Sequence, residues 1–312
     1  MLYNAFWLCC KHYMETRVLK YFLAIAKEGS MTSAAKSLHI TQPTLSRQIM
    51  ELEEEVGHKL FARGYHRLSL TREGMFLRKR AGEIMEIISK TASELKSAKN
   101  GISGDVYIGC GETNSMKMIA DVVNETRKEY PEIYFHFYSG NSIYVSEQLE
   151  KGVLDFGVFI EPADLSNFES IGLPAKDVWG VVMRDDCKLA KKKSVRVEDL
   201  IGLPLICSRQ ATDEFSPNNA YKKWFGKYFD RLNIVASYNL MYNASIMVRS
   251  GVGYAITLDK LLNVMGCGNL CFRPLNPKLE SGLRFAWKKG QIFSGAAEIF
   301  LERMRRKFAN TK

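Results

Sequence analysis

SMTSAAKSLHITQPTLSRQIMEL, running from Ser30 to Leu52, is the stretch on which the reading of this chain turns. It holds two helical patterns separated by a tight break. Ser30 is a candidate cap for a short helix over about Met31–Leu38. After His39-Ile40, Thr41 is a second cap candidate. Pro43 then falls in the first turn of another helix, where a missing N–H costs nothing. That helix is expected to run to about Glu55, with Leu45, Ile49, Leu52 and Val56 as its inner stripe. Ala34-Ala35 is small enough for the two helices to cross closely. Gln42, Thr44, Ser46, Arg47 and Gln48 fall off the apolar stripe, near the start of the second helix. A helix that reads DNA needs such an end, because its first turns enter the major groove and its side chains meet base edges. Arg47 suits bidentate pairing with guanine and Gln42 suits adenine, while Pro43 offers an apolar surface to a thymine methyl. The same residues also fit the solvated face of any small helical bundle, and composition alone does not separate the two.

On either side of this segment the pattern stays compact. Upstream, Leu19, Phe22 and Ala26 share a helix face, and Gly29-Ser30 ends that helix. Downstream, Lys59 to Leu70 alternates around Gly64, as a small hairpin would. Residues 71–97 then read as one long helix, with Leu77, Ala81, Ile84, Ile88 and Leu95 close to a heptad seam. The seam implies either a dimer partner or packing on its own domain. Asn100-Gly101-Ile102-Ser103-Gly104 reads as a hinge.

Beyond the hinge, strands and helices alternate. Strands are expected at Val106–Ile108, Ile133–Tyr138 and Phe156–Ile160, with helices at Ser115–Glu129 and Ile143–Lys151. This βαβαβ order implies a parallel sheet with right-handed crossovers. Val178–Met183 and Leu205–Cys207 begin a second set, followed by a helix at Tyr242–Arg249, a strand at Tyr254–Thr257 and a closing helix at Ser294–Phe308. Two α/β lobes around a cleft are the economical packing of that length.

The 312-residue chain is 46% hydrophobic and 25% charged, a folded balance rather than a disordered one. No apolar run approaches the roughly 20 residues of a membrane helix. Residues 1–13 lack the basic and small-residue marks of a signal peptide, and fit either a disordered tail or a misread start before Met14. A cytoplasmic location is expected, with no membrane partner. The net charge of +10 points to a polyanionic partner. It is denser at one end: residues 14–100 hold 15 Lys and Arg against 10 Asp and Glu, and residues 101–312 hold 28 against 24. Seven irregularly spaced cysteines argue against a disulfide framework, and Cys267 and Cys271 lack the spacing of a zinc site. They read as buried or inert thiols. No G-x-S-x-G, H-E-x-x-H or P-loop occurs, four of the five histidines precede the hinge, and no cofactor or enzymatic activity is expected.

Met14 to about Ile88 resembles the N-terminal domain of the LysR-type transcriptional regulators, through LKYFLAIAKEGSMTSAAKSLHITQPTLSRQIMELEEEVGHKLFAR followed by LSLTREG. EYPEI, the GNS loop, LEKGVLDFGV and RSGVGYAI resemble the family's effector domain in order, so the resemblance covers nearly the whole chain after Met14. It implies an α+β multidomain protein: a winged helix-turn-helix domain over 14–72, a linker and dimerisation helix over 73–100, and a two-lobed effector domain over 101–312, similar to type 2 periplasmic binding proteins. Lobe I would take about 101–175 and 275–312, and lobe II about 176–274. Thr32, Gln42, Pro43, Thr44, Ser46 and Arg47 fall at positions that the family uses on DNA, and Arg63 and Arg67 fall in or beside the wing. Met31 stands where the family often has an aromatic residue, and Thr44 where Ala or Ser is common. The partners implied are double-stranded DNA with an inverted repeat, a small metabolite, a homodimer or homotetramer, and RNA polymerase.

The metabolite's site is read from four loops. IGCGETN (Ile108–Asn114) looks like a dinucleotide fingerprint but lacks the third glycine and the later acidic residue. It reads better as a helix start whose N–H groups, with Thr113, Asn114 and Ser115, hold a carboxylate, or as a plain cap. Asn141, Ser208, Arg209 and Asn243 sit in loops expected to face the same cleft, with Arg209 the charge partner. Glu112 would repel an anion, which leaves a zwitterion or neutral ligand open. The alternative function is a solute-binding protein or enzyme whose N-terminal helices only mediate assembly.

Overall fold

A computed structural model describes residues 14–63, 68–97, 102–209, 220–262 and 269–308. The chain divides into two compact units after Ala92.

In the first unit, α1 (Thr16–Glu28), α2 (Met31–Ser37) and α3 (Gln42–Val56) precede a two-stranded ribbon of β1 (Phe61–Arg63) and β2 (Leu68–Leu70) and a long helix, α4 (Arg72–Ser97). Gly29 ends α1 in the left-handed conformation, its N–H donating to Ile25 O at 2.9 Å. The Ser30 hydroxyl accepts the Ser33 N–H at 3.3 Å and starts α2. The Thr41 hydroxyl accepts the Thr44 N–H at 3.4 Å and starts α3. Val18, Leu19, Phe22 and Ile25 pack against Ala34, Ala35, Leu45, Ile49 and Leu52 in one core that also takes Leu60, Leu77 and Ala81. The expected Val56 is only half-buried. β1 and β2 pair antiparallel from Phe61↔Leu70 to Arg63↔Leu68, as a hairpin requires. Thr71 fixes the entry to α4: its hydroxyl donates to Lys59 O at 2.7 Å and accepts the Gly74 N–H at 2.9 Å. A Cβ at position 74 would collide with the Leu60 carbonyl, so the helix can lie against the ribbon only with glycine there.

The second unit is built on a nine-stranded sheet that runs through two lobes. Lobe I starts with β3 (Gly104–Cys110), α5 (Met116–Glu129), β4 (Ile133–Ser139), α6 (Ser142–Glu150) and β5 (Phe156–Ile160). β3 pairs parallel with both β4 and β5, the βαβαβ arrangement expected. The long strand β6 (Phe168–Arg184) then serves two cores. Its first part, to Val178, runs antiparallel to β11 (Glu280–Lys288). Its second part, from Trp179, pairs with β9 (Tyr254–Leu258) and β10 (Leu270–Pro274). Lobe II adds β7 (Pro204–Ser208), α7 (Ala220–Phe225), β8 (Asn233–Tyr238) and α8 (Met241–Arg249), with β7 parallel to β8 and β9. The chain closes in lobe I with α9 (Gly295–Phe308).

Each lobe has its own apolar centre. In lobe I, Phe156 stacks on Phe285 with centroids 4.9 Å apart, beside Val106, Ile108, Ile119 and Phe300. In lobe II, Val181, Leu205, Cys207, Phe225 and Ile256 form the centre. One feature differs from the expected pattern. β6 extends ten residues before Val178, where Pro174, Lys176 and Asp177 break the apolar run and pairing with β11 makes the strand. Gly109 serves packing, since a Cβ there would meet the side chains of Leu154 and Val145.

Candidate functional site

At α3, burial sorts the residues by role. Leu45, Ile49 and Leu52 are enclosed, while Gln42, Pro43, Thr44 and Arg47 are exposed and Ser46 is half-buried. Thr32, at the start of α2, is also exposed. The Thr44 and Thr41 hydroxyls share a hydrogen bond of 2.7 Å at the head of the helix. Arg47 is 79% exposed, and its Nε donates to Glu51 Oε1 at 2.9 Å, one turn along. Gln48 Nε2 donates to the other oxygen of Glu51 at 2.6 Å. Glu51 therefore holds two polar side chains of this surface in place, a role not anticipated from the sequence. Arg63 lies in β1, and Arg67 falls outside the described residues.

A second unanticipated acid joins this helix to the ribbon. Glu53 sits on the buried side of α3, where its Oε1 accepts the N–H groups of Leu60 at 2.8 Å and Phe61 at 3.3 Å. Its Oε2 takes the Lys59 ammonium at 2.7 Å. Burial opposes the charge on this carboxylate, but Lys59 and the two amides outweigh it and hold the pKa below its ordinary 4.5.

Between the two lobes lies a pocket of about 60 Å³, which brings together Glu112, Asn141, Ser208 and Arg209, with Ile160, Trp179, Leu258 and Leu261 among its apolar walls. A wider opening of about 530 Å³ shares Asn141 and Arg209 with it. Asn141 caps α6, its Oδ1 accepting the Tyr144 N–H at 2.9 Å. Four of the expected residues stand elsewhere. Asn114 and Asn243 are exposed and do not line this pocket. Thr113 and Ser115 are buried, and both hydroxyls donate to Asp177, Ser115 at 2.8 Å. Thr113 Oγ1 also accepts the Ser115 N–H at 3.0 Å. The two hydroxyls expected for a ligand are thus spent on an internal carboxylate, because Asp177 on β6 reaches the head of α5. Glu112, read from the sequence only as a repelling charge, bridges the lobes: its Oε2 accepts the N–H of Met241, the first residue of α8. Nothing local in the sequence announces either contact, since the partners lie far apart along the chain.

Among the described residues, no group of three or more His, Cys, Asp or Glu could hold a metal ion, and no helix is long and apolar enough to cross a membrane.

Residues 16–75 match the family model "Bacterial regulatory helix-turn-helix protein, lysR family", and residues 99–309 match "LysR substrate binding domain". The HTH-type transcriptional regulator YybE of Bacillus subtilis is 27% identical over 293 residues, 92% of this chain and 97% of that protein. The Hca operon transcriptional activator HcaR of Escherichia coli is 28% identical over 285 residues, 89% of this chain and 93% of that protein. Full-length CbnR in complex with its target DNA has a similar fold, with a TM-score of 0.72 at 20% identity over 94% of this chain and 99% of that one. The chain therefore belongs to the LysR-type transcriptional regulators, with a DNA-binding helix-turn-helix followed by an effector-binding substrate domain.

Proposed function

We propose that the chain regulates transcription by docking α3 into the major groove of an inverted-repeat operator. Gln42, Pro43, Thr44, Ser46 and Arg47 meet bases and backbone there, Thr32 adds a further contact, and Arg63 and Arg67, in or beside the wing by sequence, supply charge for the DNA. The observation that carries this reading is the polar, exposed face at the start of α3, opposite a fully buried Leu45/Ile49/Leu52 stripe. The protein acts in the cytoplasm as a homodimer or homotetramer joined through the 73–100 helix, and contacts RNA polymerase at the promoter. A small metabolite binds between the lobes of the 101–312 domain, near Asn141, Ser208 and Arg209. It acts by preferring one assembly geometry over another. Membership of a family of transcription regulators favours binding over catalysis.

Arg47→Ala tests the base-reading role. Specific binding should weaken by about 1–3 kcal/mol while binding to random DNA changes little. Equal losses on both DNAs in a mobility-shift titration would remove Arg47 from base recognition.

A further inference from the structure

We infer that the interlobe pocket takes a zwitterion, a small molecule carrying both an ammonium and a carboxylate, and that Glu112 is the residue that sets this preference. The inference rests on the effector-pocket reading above.

A cleft built for a plain anion needs uncommitted positive groups, and helix starts with unused N–H groups are the usual supply. Three helix starts lie at or beside this cleft, and each is already served by the chain itself: α6 by the Asn141 amide oxygen, α8 directly by a carboxylate, and α5 through hydroxyls that a carboxylate holds. At α8, Leu240 gives no side-chain cap, and Glu112 reaches across from lobe I to accept the Met241 N–H. At α5, the Ser115 N–H goes to Thr113 Oγ1, and the Thr113 and Ser115 hydroxyls go to buried Asp177. A ligand carboxylate at the α5 or α8 start would sit against a resident carboxylate, and like charges repel strongly where water is scarce; at α6 the Asn141 amide oxygen already takes the Tyr144 N–H.

Among the described residues lining the pocket, Glu112 is the acid and Arg209 the base. They come from opposite lobes, Glu112 after β3 and Arg209 after β7. A molecule with charges of both signs satisfies both walls: its ammonium donates to Glu112 and its carboxylate accepts from Arg209. Ile160, Trp179, Leu258 and Leu261 leave room for a small apolar body, so an α-amino acid fits the chemistry. An ammonium at Glu112 competes with the Met241 amide for one carboxylate. Occupancy is thereby coupled to the contact that joins the lobes.

The test uses the full-length protein in thermal-shift titrations. The probes are the common L-amino acids, their N-acetyl and carboxamide derivatives, and the plain anions benzoate, succinate and citrate. At least one free amino acid should raise Tm by several degrees, and neither of its derivatives should. By calorimetry, Glu112→Gln and Arg209→Gln should each weaken its Kd by at least about tenfold, with melting behaviour showing that both variants are folded. The inference is overturned if no amino acid shifts Tm, if an N-acetyl derivative binds as tightly as its parent, or if Glu112→Gln leaves Kd unchanged. A plain anion that binds in wild type and is lost in Arg209→Gln would keep the pocket and overturn the zwitterion. A ligand whose affinity survives both substitutions would overturn the pocket itself.

Discussion

Two single residues show how charge and burial are traded in this chain. Glu53 is an acid on the core side of a helix, which is tolerable because three donors surround it. Glu53→Ala leaves the Leu60 and Phe61 amides without that acceptor and should destabilise the N-terminal unit by about 1–3 kcal/mol. Because the folded-state pKa is lowered, the stabilisation is present above the ordinary value of 4.5 and is lost as pH falls through the depressed value. The difference in stability between wild type and Glu53→Gln, followed by chemical denaturation, should therefore shrink on acidification below about 4.5. A difference that stays constant across that range would mean that the charge contributes nothing. Cys207 makes the opposite case, since its thiol has no partner charge and burial pushes its pKa to about 12. Burial, with Glu112 adding to it, also raises the pKa of Cys110. The thiolate is the reactive species, so both should resist iodoacetamide at pH 8 in the native protein and react on unfolding. Peptide mapping by mass spectrometry separates them from half-buried Cys187 and Cys271, and native labelling of Cys207 would refute its enclosure.

Among the elements, α4 serves two surfaces along its length. The expected seam divides in two: Leu77 and Ala81 are buried in the domain's own core, whereas Ile84 and Leu95 are exposed and Ile88 is half-buried. The buried half packs on the domain's own core, and the exposed half is what a partner helix would cover in the dimer proposed above. Ile84→Glu should convert the oligomer to monomer in sedimentation velocity without lowering Tm greatly, because the side chain has little to lose in the single chain. An unchanged sedimentation coefficient would assign assembly to another surface. How well each element could be read from sequence follows the same division between local and distant causes. α1 to α3 were legible because their caps, glycine stop and apolar spacing lie within a few residues of one another. β8, β10, β11 and the first part of β6 were not, because their pairing partners, not their own spacing, make them strands. In the cleft, the loops holding Asn141, Ser208 and Arg209 could be placed from the β/α order alone. The ties of Thr113 and Ser115 to Asp177, and of Glu112 to Met241, depend on tertiary packing and left no local trace.

At the scale of the whole molecule, the proposal requires that the two ends of the chain act through one assembly. A symmetric dimer doubles the basic N-terminal surface and sets two copies of α3 against half-sites about one helical turn apart. If that dimer neutralises about 6–10 phosphates, log K for DNA should fall with log salt at a slope of about −5 to −9. Affinity would then drop by about 10³–10⁵ between 50 and 200 mM salt. The slope counts phosphate contacts and does not depend on which bases are read, so it reports assembly separately from recognition. Arg47→Ala should leave it almost unchanged while lowering specific affinity. Ile84→Glu, if it yields monomers, should roughly halve it and reduce a two-half-site footprint to one. A monomeric variant that keeps the full slope would mean that one subunit makes all the phosphate contacts, and the inverted-repeat reading would fail with it.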